Sequence, residues 1–260
     1  MVTAYARPAM RWLEADRDTE GVHERSFRLD VEGRLVPGVV WMPPGEADPS
    51  RPLVLLGHGA TRHKRVDYLL ALSHLLVRRH GFAAVAIDGP GHGDRRADGG
   101  ADEVQLFGEF LGEWARPGST DDMVADWQAT LGALREGAGV GGGPMGYWGL
   151  SMGTIYGIPL AAAEPRITAA VFGLMGLVGP TRDRLAADAA AIACPTLFLQ
   201  QWDDQLMARD DVLALFDALG AANKRLHAHP GEHAAVPAEE LGFSVTFLAR
   251  HLAGEVPPGW

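Results

Sequence analysis

Apolar positions along this chain fall into two alternating rhythms. Short, nearly unbroken apolar runs end in glycine or a polar residue: "LVLLGHGA" (53–60), "FAAVAIDGPGHG" (82–93), "PMGYWGL" (144–150), "ITAAVFGLMG" (167–176) and "PTLFLQ" (195–200). "NKRLHAHP" (223–230) reads as a last, more polar strand. Continuous rather than alternating apolarity predicts strands buried on both faces, as in a parallel sheet. Between these runs lie stretches at helical spacing. They are Val66 to His80 (Leu69, Leu72 and Leu76 on one stripe), Thr120 to about Arg135, "SMGTIYGIPLAAAE" (151–164), "RDDVLALFDALG" (209–220) and "ELGFSVTFLARHLAG" (240–254). Gly220 reads as the C-cap of the fourth. The segment before them differs. His23 to Met42 alternates and breaks at Val31-Glu32-Gly33-Arg34, which predicts two antiparallel strands with a tight turn. The whole reads as a single α/β domain over residues 1–260, with a mostly parallel central sheet, an antiparallel N-terminal edge and helices on both faces. The glycine-rich stretches near Gly99 and at Gly139–Gly143 leave the alternation intact, so they read as loops rather than linkers.

Composition narrows the function classes. Hydrophobic residues make up 47% of the chain, enough for a sizeable core. The net charge is −10. That argues against a nucleic-acid partner, which needs clustered Lys and Arg, and gives no reason to expect an anionic membrane surface. Cys194 is the single cysteine, so no internal disulfide or cysteine-based zinc site is expected; it reads as a buried, inert thiol. The N-terminal stretch has no apolar signal core, and no run approaches the ~18 apolar residues of a membrane span. The expected location is the cytoplasm, and the composition is compatible with a homo-oligomer.

In open parallel sheets the chemistry collects at the carboxyl ends of the strands. Three such ends carry reactive residues. Ser151 stands in Gly149-Leu150-Ser151-Met152-Gly153, Asp203 and Asp204 follow "PTLFLQQW", and His233 follows "LHAHPGE". A lone Gly-x-Ser-x-Gly is a weak signal in a chain with 33 glycines. The order serine, aspartate, histidine, with whole strand–helix units between, strengthens it. His227, His229 and His233 lack an accompanying ligand pattern, so no metal is expected. "GPGHG" (89–93) lacks the Lys-Ser/Thr ending of a phosphate loop and reads as a turn.

Five segments in order, "LLGHGA", "AIDGPGHGDR", "GLSMGT", "PTLFLQQWDDQLM" and "HPGEHAAVP", resemble the α/β-hydrolase superfamily, near its dienelactone-hydrolase-like and small serine esterase branches. The resemblance spans about Val22 to Leu252 and implies an α/β-hydrolase fold. It also implies a serine hydrolase that cleaves small to medium carboxylic esters without a cofactor. Ser151 would be the nucleophile and His233 its base. Asp204 would be the acid, because Asp204-Gln205-Leu206-Met207 fits the family pattern and Asp203 does not. The implied oxyanion hole takes the N–H of Met152 and of Ala60, with Thr61 as the alternative. Thioester and amide cleavage, a cofactor-free lyase or oxygenase, and a ligand-binding protein that keeps the triad are the competing readings. A serine at Ser151 excludes haloalkane dehalogenase chemistry. It also departs from the cysteine of dienelactone hydrolases, which favours ordinary esters.

Several further residues carry alternative roles. Arg62, Lys64 and Arg65 follow the oxyanion loop. They read as a solvated loop, or as recognition of an anionic substrate group if one points inward. His58 would orient that loop or pack beneath it, and it is carried as a substrate-site candidate with Trp202. Trp148 lines the pocket or fills the core. The gap from Leu177 to Ala193 is too short for a large cap domain. A small lid is expected from Arg95 to Ser119 (residues 95–119), where Phe107, Phe110, Leu111 and Trp114 give a helical apolar face.

Overall fold

A computed structural model describes residues 10–13, 16–96 and 102–254. Its ten strands are β1 (Arg11–Trp12), β2 (Arg17–Thr19), β3 (Val22–Val31), β4 (Arg34–Met42), β5 (Leu53–Gly57), β6 (Ala83–Ile87), β7 (Met145–Gly149), β8 (Ile167–Gly173), β9 (Thr196–Gln201) and β10 (Lys224–His229). They form one sheet in the order β1-β3-β4-β6-β5-β7-β8-β9-β10, with β2 paired to β3. From β6 to β10 every pairing is parallel; β1 to β4 pair antiparallel and join through β4 to β6. This is the expected mostly parallel sheet with an antiparallel N-terminal edge. The turn between β3 and β4 places Glu32 and Gly33 at φ +54° and +80°, the left-handed pair that a two-residue hairpin needs.

Seven helices are described: α1 (Asp67–His80), α2 (Glu103–Ala115), α3 (Ser119–Gly137), α4 (Met152–Ala163), α5 (Arg182–Ala191), α6 (Arg209–Ala218) and α7 (Ala238–Leu252). They cover both faces of the sheet. Leu69, Leu72 and Leu76 of α1 pack with Val245, Leu248 and Leu252 of α7 under one face. Trp127 and Leu131 of α3, Ile155 of α4 and Leu215 of α6 pack under the other. Between β8 and β9 the chain inserts α5 alone, so no cap domain interrupts the fold there.

Two local expectations are corrected. The fourth helical stretch ends at Ala218, and its C-cap is Leu219 with φ −61°. Gly220 has a different cause: a Cβ there would lie 2.3 Å from the Ala190 carbonyl oxygen, so glycine lets the chain pass close to α5. The turn expected at "GPGHG" forms, with Gly91 and Gly93 at positive φ. In the lid segment, residues 97–101 lie outside the described residues. The helix expected from the apolar face does form as α2, which buries Phe110 and Trp114 and leaves Val104, Phe107 and Leu111 exposed. No helix among the described residues is long and apolar enough to cross a membrane.

Candidate active site

Ser151 sits between the end of β7 and the first turn of α4, at φ +57° and ψ −117°. A residue with a Cβ occupies that region only under strain. Tight packing enforces it. A Cβ on Gly149 would come within 2.7 Å of the Tyr147 hydroxyl, and one on Gly153 within 2.7 Å of the Gly57 carbonyl oxygen. The Ser151 N–H donates to the Gly173 carbonyl (2.9 Å) and the Tyr147 hydroxyl to the Gly153 carbonyl (2.6 Å). The side chain is thereby held out of the helix, above the sheet.

His233 reaches it from the loop after β10. Its Nε2 lies 3.0 Å from Ser151 Oγ, and its Nδ1 lies 2.7 Å from Asp204 Oδ2. The other carboxylate oxygen of Asp204 accepts the N–H groups of Leu206 (2.8 Å) and Met207 (3.0 Å). Burial works against charge on Asp204. The His233 contact and the two amides outweigh it and hold the carboxyl below its ordinary range. Asp203 has a different task. Its carboxylate accepts the Gly231 N–H at 3.2 Å, and its own N–H donates to the Gly231 carbonyl at 3.1 Å.

Two glutamines that sequence reasoning did not single out complete the support of the histidine loop. Gln205 Oε1 accepts the His233 N–H at 2.9 Å. The Gln201 amide donates to the Ala235 carbonyl at 2.9 Å and approaches those of Glu232 (3.3 Å) and Pro230 (3.5 Å). Two adjacent glutamines closing the run "TLFLQQ" were the available signal for Gln201.

Across the elbow, the loop after β5 packs against Gly153 and runs to Ala60. Among the described residues, the N–H groups of Ala60 and Met152 make no hydrogen bond. The Thr61 N–H is committed to His92 Nε2 at 3.1 Å, which removes Thr61 as the alternative donor.

No family model and no curated protein matches the chain. The PEG-bound complex of a cold-adapted esterase from an Arctic intertidal metagenomic library matches 93% of this chain and 99% of its own at 42% identity, with a TM-score of 0.81. This chain belongs to the α/β-hydrolase family of esterases. A zinc-bound structure of that Arctic esterase matches over the same shares (93% and 99%) at 41% identity and TM-score 0.79. A dienelactone hydrolase from Anabaena variabilis, at 17% identity, shares the fold over 90% of this chain and 99% of its own (TM-score 0.65).

In this esterase the basic residues after the β5 loop divide: Lys64 is buried and Arg65 half-buried, whereas Arg62 stays exposed, as a solvated loop residue would. Lys64 is buried; its ammonium contacts Asp88 Oδ2 at 2.6 Å and Asp94 Oδ2 at 2.8 Å. The Lys64 N–H also donates to Asp88, at 2.9 Å. Arg65 pairs with Glu24, and Arg62 with Glu103 on the first turn of α2 at 2.5 Å. Each cation thus ties the loop to another part of the chain. Lys64→Met removes the counter-ion of the buried Asp88 and leaves it the Lys64 and Asp94 N–H groups, and urea unfolding should show a loss of about 3–5 kcal/mol.

His58 is buried under the same loop. It is 2% exposed, Nδ1 donates to the Gly59 carbonyl (2.8 Å), and Nε2 accepts the Gly89 N–H (2.8 Å). Burial, with the neighbouring His92 adding to it, lowers its pKa to about 3. The unfolded chain takes up that proton near pH 6.5 and the native state does not, so stability falls as pH drops from about 6.5 towards 3. Urea midpoints should record a loss of about 2 kcal/mol between pH 6.5 and 5 from this residue, and His58→Gln should flatten that slope.

Trp148 is 1% exposed and belongs to the core. Trp202 is exposed beside the acid, with the Arg209 guanidinium 4.1 Å above its ring. Cys194 is partly buried, and burial raises its thiol pKa to about 11, away from reactivity. The expectation of no metal-ligand set rested on the missing partner for His227 and His229. Glu240, on the first turn of α7, supplies one: the three side chains converge.

Proposed function

We propose that this esterase cleaves small to medium carboxylic esters through an acyl-enzyme on Ser151. The observation that carries the reading is the unbroken chain Asp204–His233–Ser151, at 2.7 and 3.0 Å, drawn from three separate strand ends. His233 Nε2 takes the Ser151 proton as Oγ attacks the ester carbonyl carbon. The carbonyl electron pair moves onto oxygen, facing the free N–H groups of Met152 and Ala60 and the N-terminus of α4. The intermediate collapses, the C–O bond breaks, and the leaving alkoxide takes the proton back from His233. Water then repeats the sequence: His233 accepts its proton, hydroxide oxygen joins the acyl carbon, and Ser151 Oγ leaves with that proton. Asp204 holds Nδ1–H, which fixes the tautomer and stabilises the imidazolium. Groups of this chain and water account for every step.

Substrate size is read from α2. Its exposed Val104, Phe107 and Leu111, with Glu103 paired to Arg62 of the β5 loop, offer an apolar face for a small cover, and the exposed Trp202 beside Asp203 is a further candidate substrate contact. Quenching turnover of p-nitrophenyl acetate and mapping the protein by mass spectrometry should place the acetyl group on Ser151. Acetyl on another residue would overturn the assignment. A matched set of p-nitrophenyl esters, thioesters and anilides separates ester cleavage from its neighbours, with esters expected to react fastest.

A further inference from the structure

Glu240 is a carboxylate at 1% exposure, and both of its oxygens face imidazoles. His227 Nδ1 lies 3.0 Å from Oε1 and 3.2 Å from Oε2, and His229 Nε2 lies 2.8 Å from Oε2. The two histidines stand two residues apart on β10, so their side chains share one sheet face. Phe243, one turn after Glu240, sets the His227 ring edge against face at 6.1 Å. The donor atoms of all three residues lie within 4.8 Å of one another.

Two imidazole nitrogens and one carboxylate oxygen form a donor set that suits zinc-class divalent ions. Four-coordinate zinc with donors at about 2.0–2.2 Å spaces them roughly 3.2–3.6 Å apart, so small ring rotations bring these atoms into place. His227 and His229 keep side-chain exposures of 36% and 22%, which leaves a path from solvent and room for a water as fourth ligand. We propose that His227, His229 and Glu240 form a structural site for a zinc-class divalent cation, separate from the triad.

Position gives the site a consequence. His229 ends β10 and Glu240 lies in the first turn of α7; the loop between them carries His233. An ion held by both ends fixes the span on which the catalytic base rides. Binding to the native state alone raises its stability by mass action.

The test uses the full chain stripped with EDTA and titrated with zinc. Calorimetry and metal analysis should give one zinc per chain in or below the micromolar range. Melting temperature should rise by about 5–10 °C at a hundredfold excess over the dissociation constant. Bound Co2+ should show the visible bands of a tetrahedral ion. Glu240→Gln and His229→Gln should weaken zinc at least a hundredfold, while His233→Ala keeps the stoichiometry. Circular dichroism checks each fold. If the Glu240 variant is unfolded, His227→Gln gives the same reading with the buried carboxylate still bonded to His229. The proposal falls if zinc binds no tighter than millimolar, if binding survives these ligand substitutions, or if it vanishes in His233→Ala, which would place the ion at the triad.

Discussion

Ser151→Ala should lower kcat on a p-nitrophenyl ester by about 10⁵–10⁶ and abolish labelling by a fluorophosphonate probe, with little change in the unfolding midpoint. Alanine keeps the Cβ that makes φ +57° strained, so the elbow carries the same backbone cost as before. The lost atom is Oγ alone, and with it the partner of His233 Nε2. Water in its place gains from the unpaired N–H groups of Met152 and Ala60, which leaves residual catalysis above the uncatalysed rate. Labelling that persists in the variant would reject Ser151 as nucleophile. A large drop in the unfolding midpoint would mean that the hydroxyl is structural.

The second large effect separates two adjacent aspartates. Asp204→Asn should reduce kcat by about 10⁴, with the substrate KM nearly unchanged. The two backbone amides on Oδ1 orient this side chain, so an asparagine that keeps them must present its NH₂ to His233. A donor facing Nδ1 forces the ring into the tautomer whose Nε2 already carries a proton and cannot take one from serine. Asp203→Asn should cost within about tenfold, because Asp203 touches only the Gly231 backbone and its N–H contact to Gly231 survives the substitution. Steady-state kinetics on the two variants decides this; reversed magnitudes would make Asp203 the acid.

What could be read from the sequence follows a physical division. The strands β5 to β9 announce themselves because burial on both faces leaves continuous apolar runs. Ser151 and His233 stand at strand ends with glycine or proline nearby, and Asp204 came from the family pattern around it. Local packing of β1 and β2, at two and three residues, is too short to leave a rhythm. Helix α5, "RDRLAADAAA", buries only Leu185 and Ala189 and so lacks an apolar stripe. The supporting residues were harder still. Gln201, Gln205, Lys64 and Glu240 act through partners 11 to 34 positions away, and nothing local distinguishes them from ordinary polar residues. A lysine among surface-type neighbours reads as solvated until the buried Asp88 appears beside it.

The strand order carries one more consequence. Ser151 follows β7, near the middle of the sheet, whereas His233 follows β10, which among the described residues has a hydrogen-bonded neighbour on one side only. Outer strands open by local fluctuation at lower free energy than central ones. The proposed nucleophile and base therefore belong to regions of unequal cooperativity, and the glutamine and aspartate clasps at and just after the end of β9 set how often His233 departs. Under gentle warming, turnover is the most sensitive reporter of this molecule's integrity: amides along β10 exchange their hydrogens and catalysis fades while the centre of the sheet is still intact.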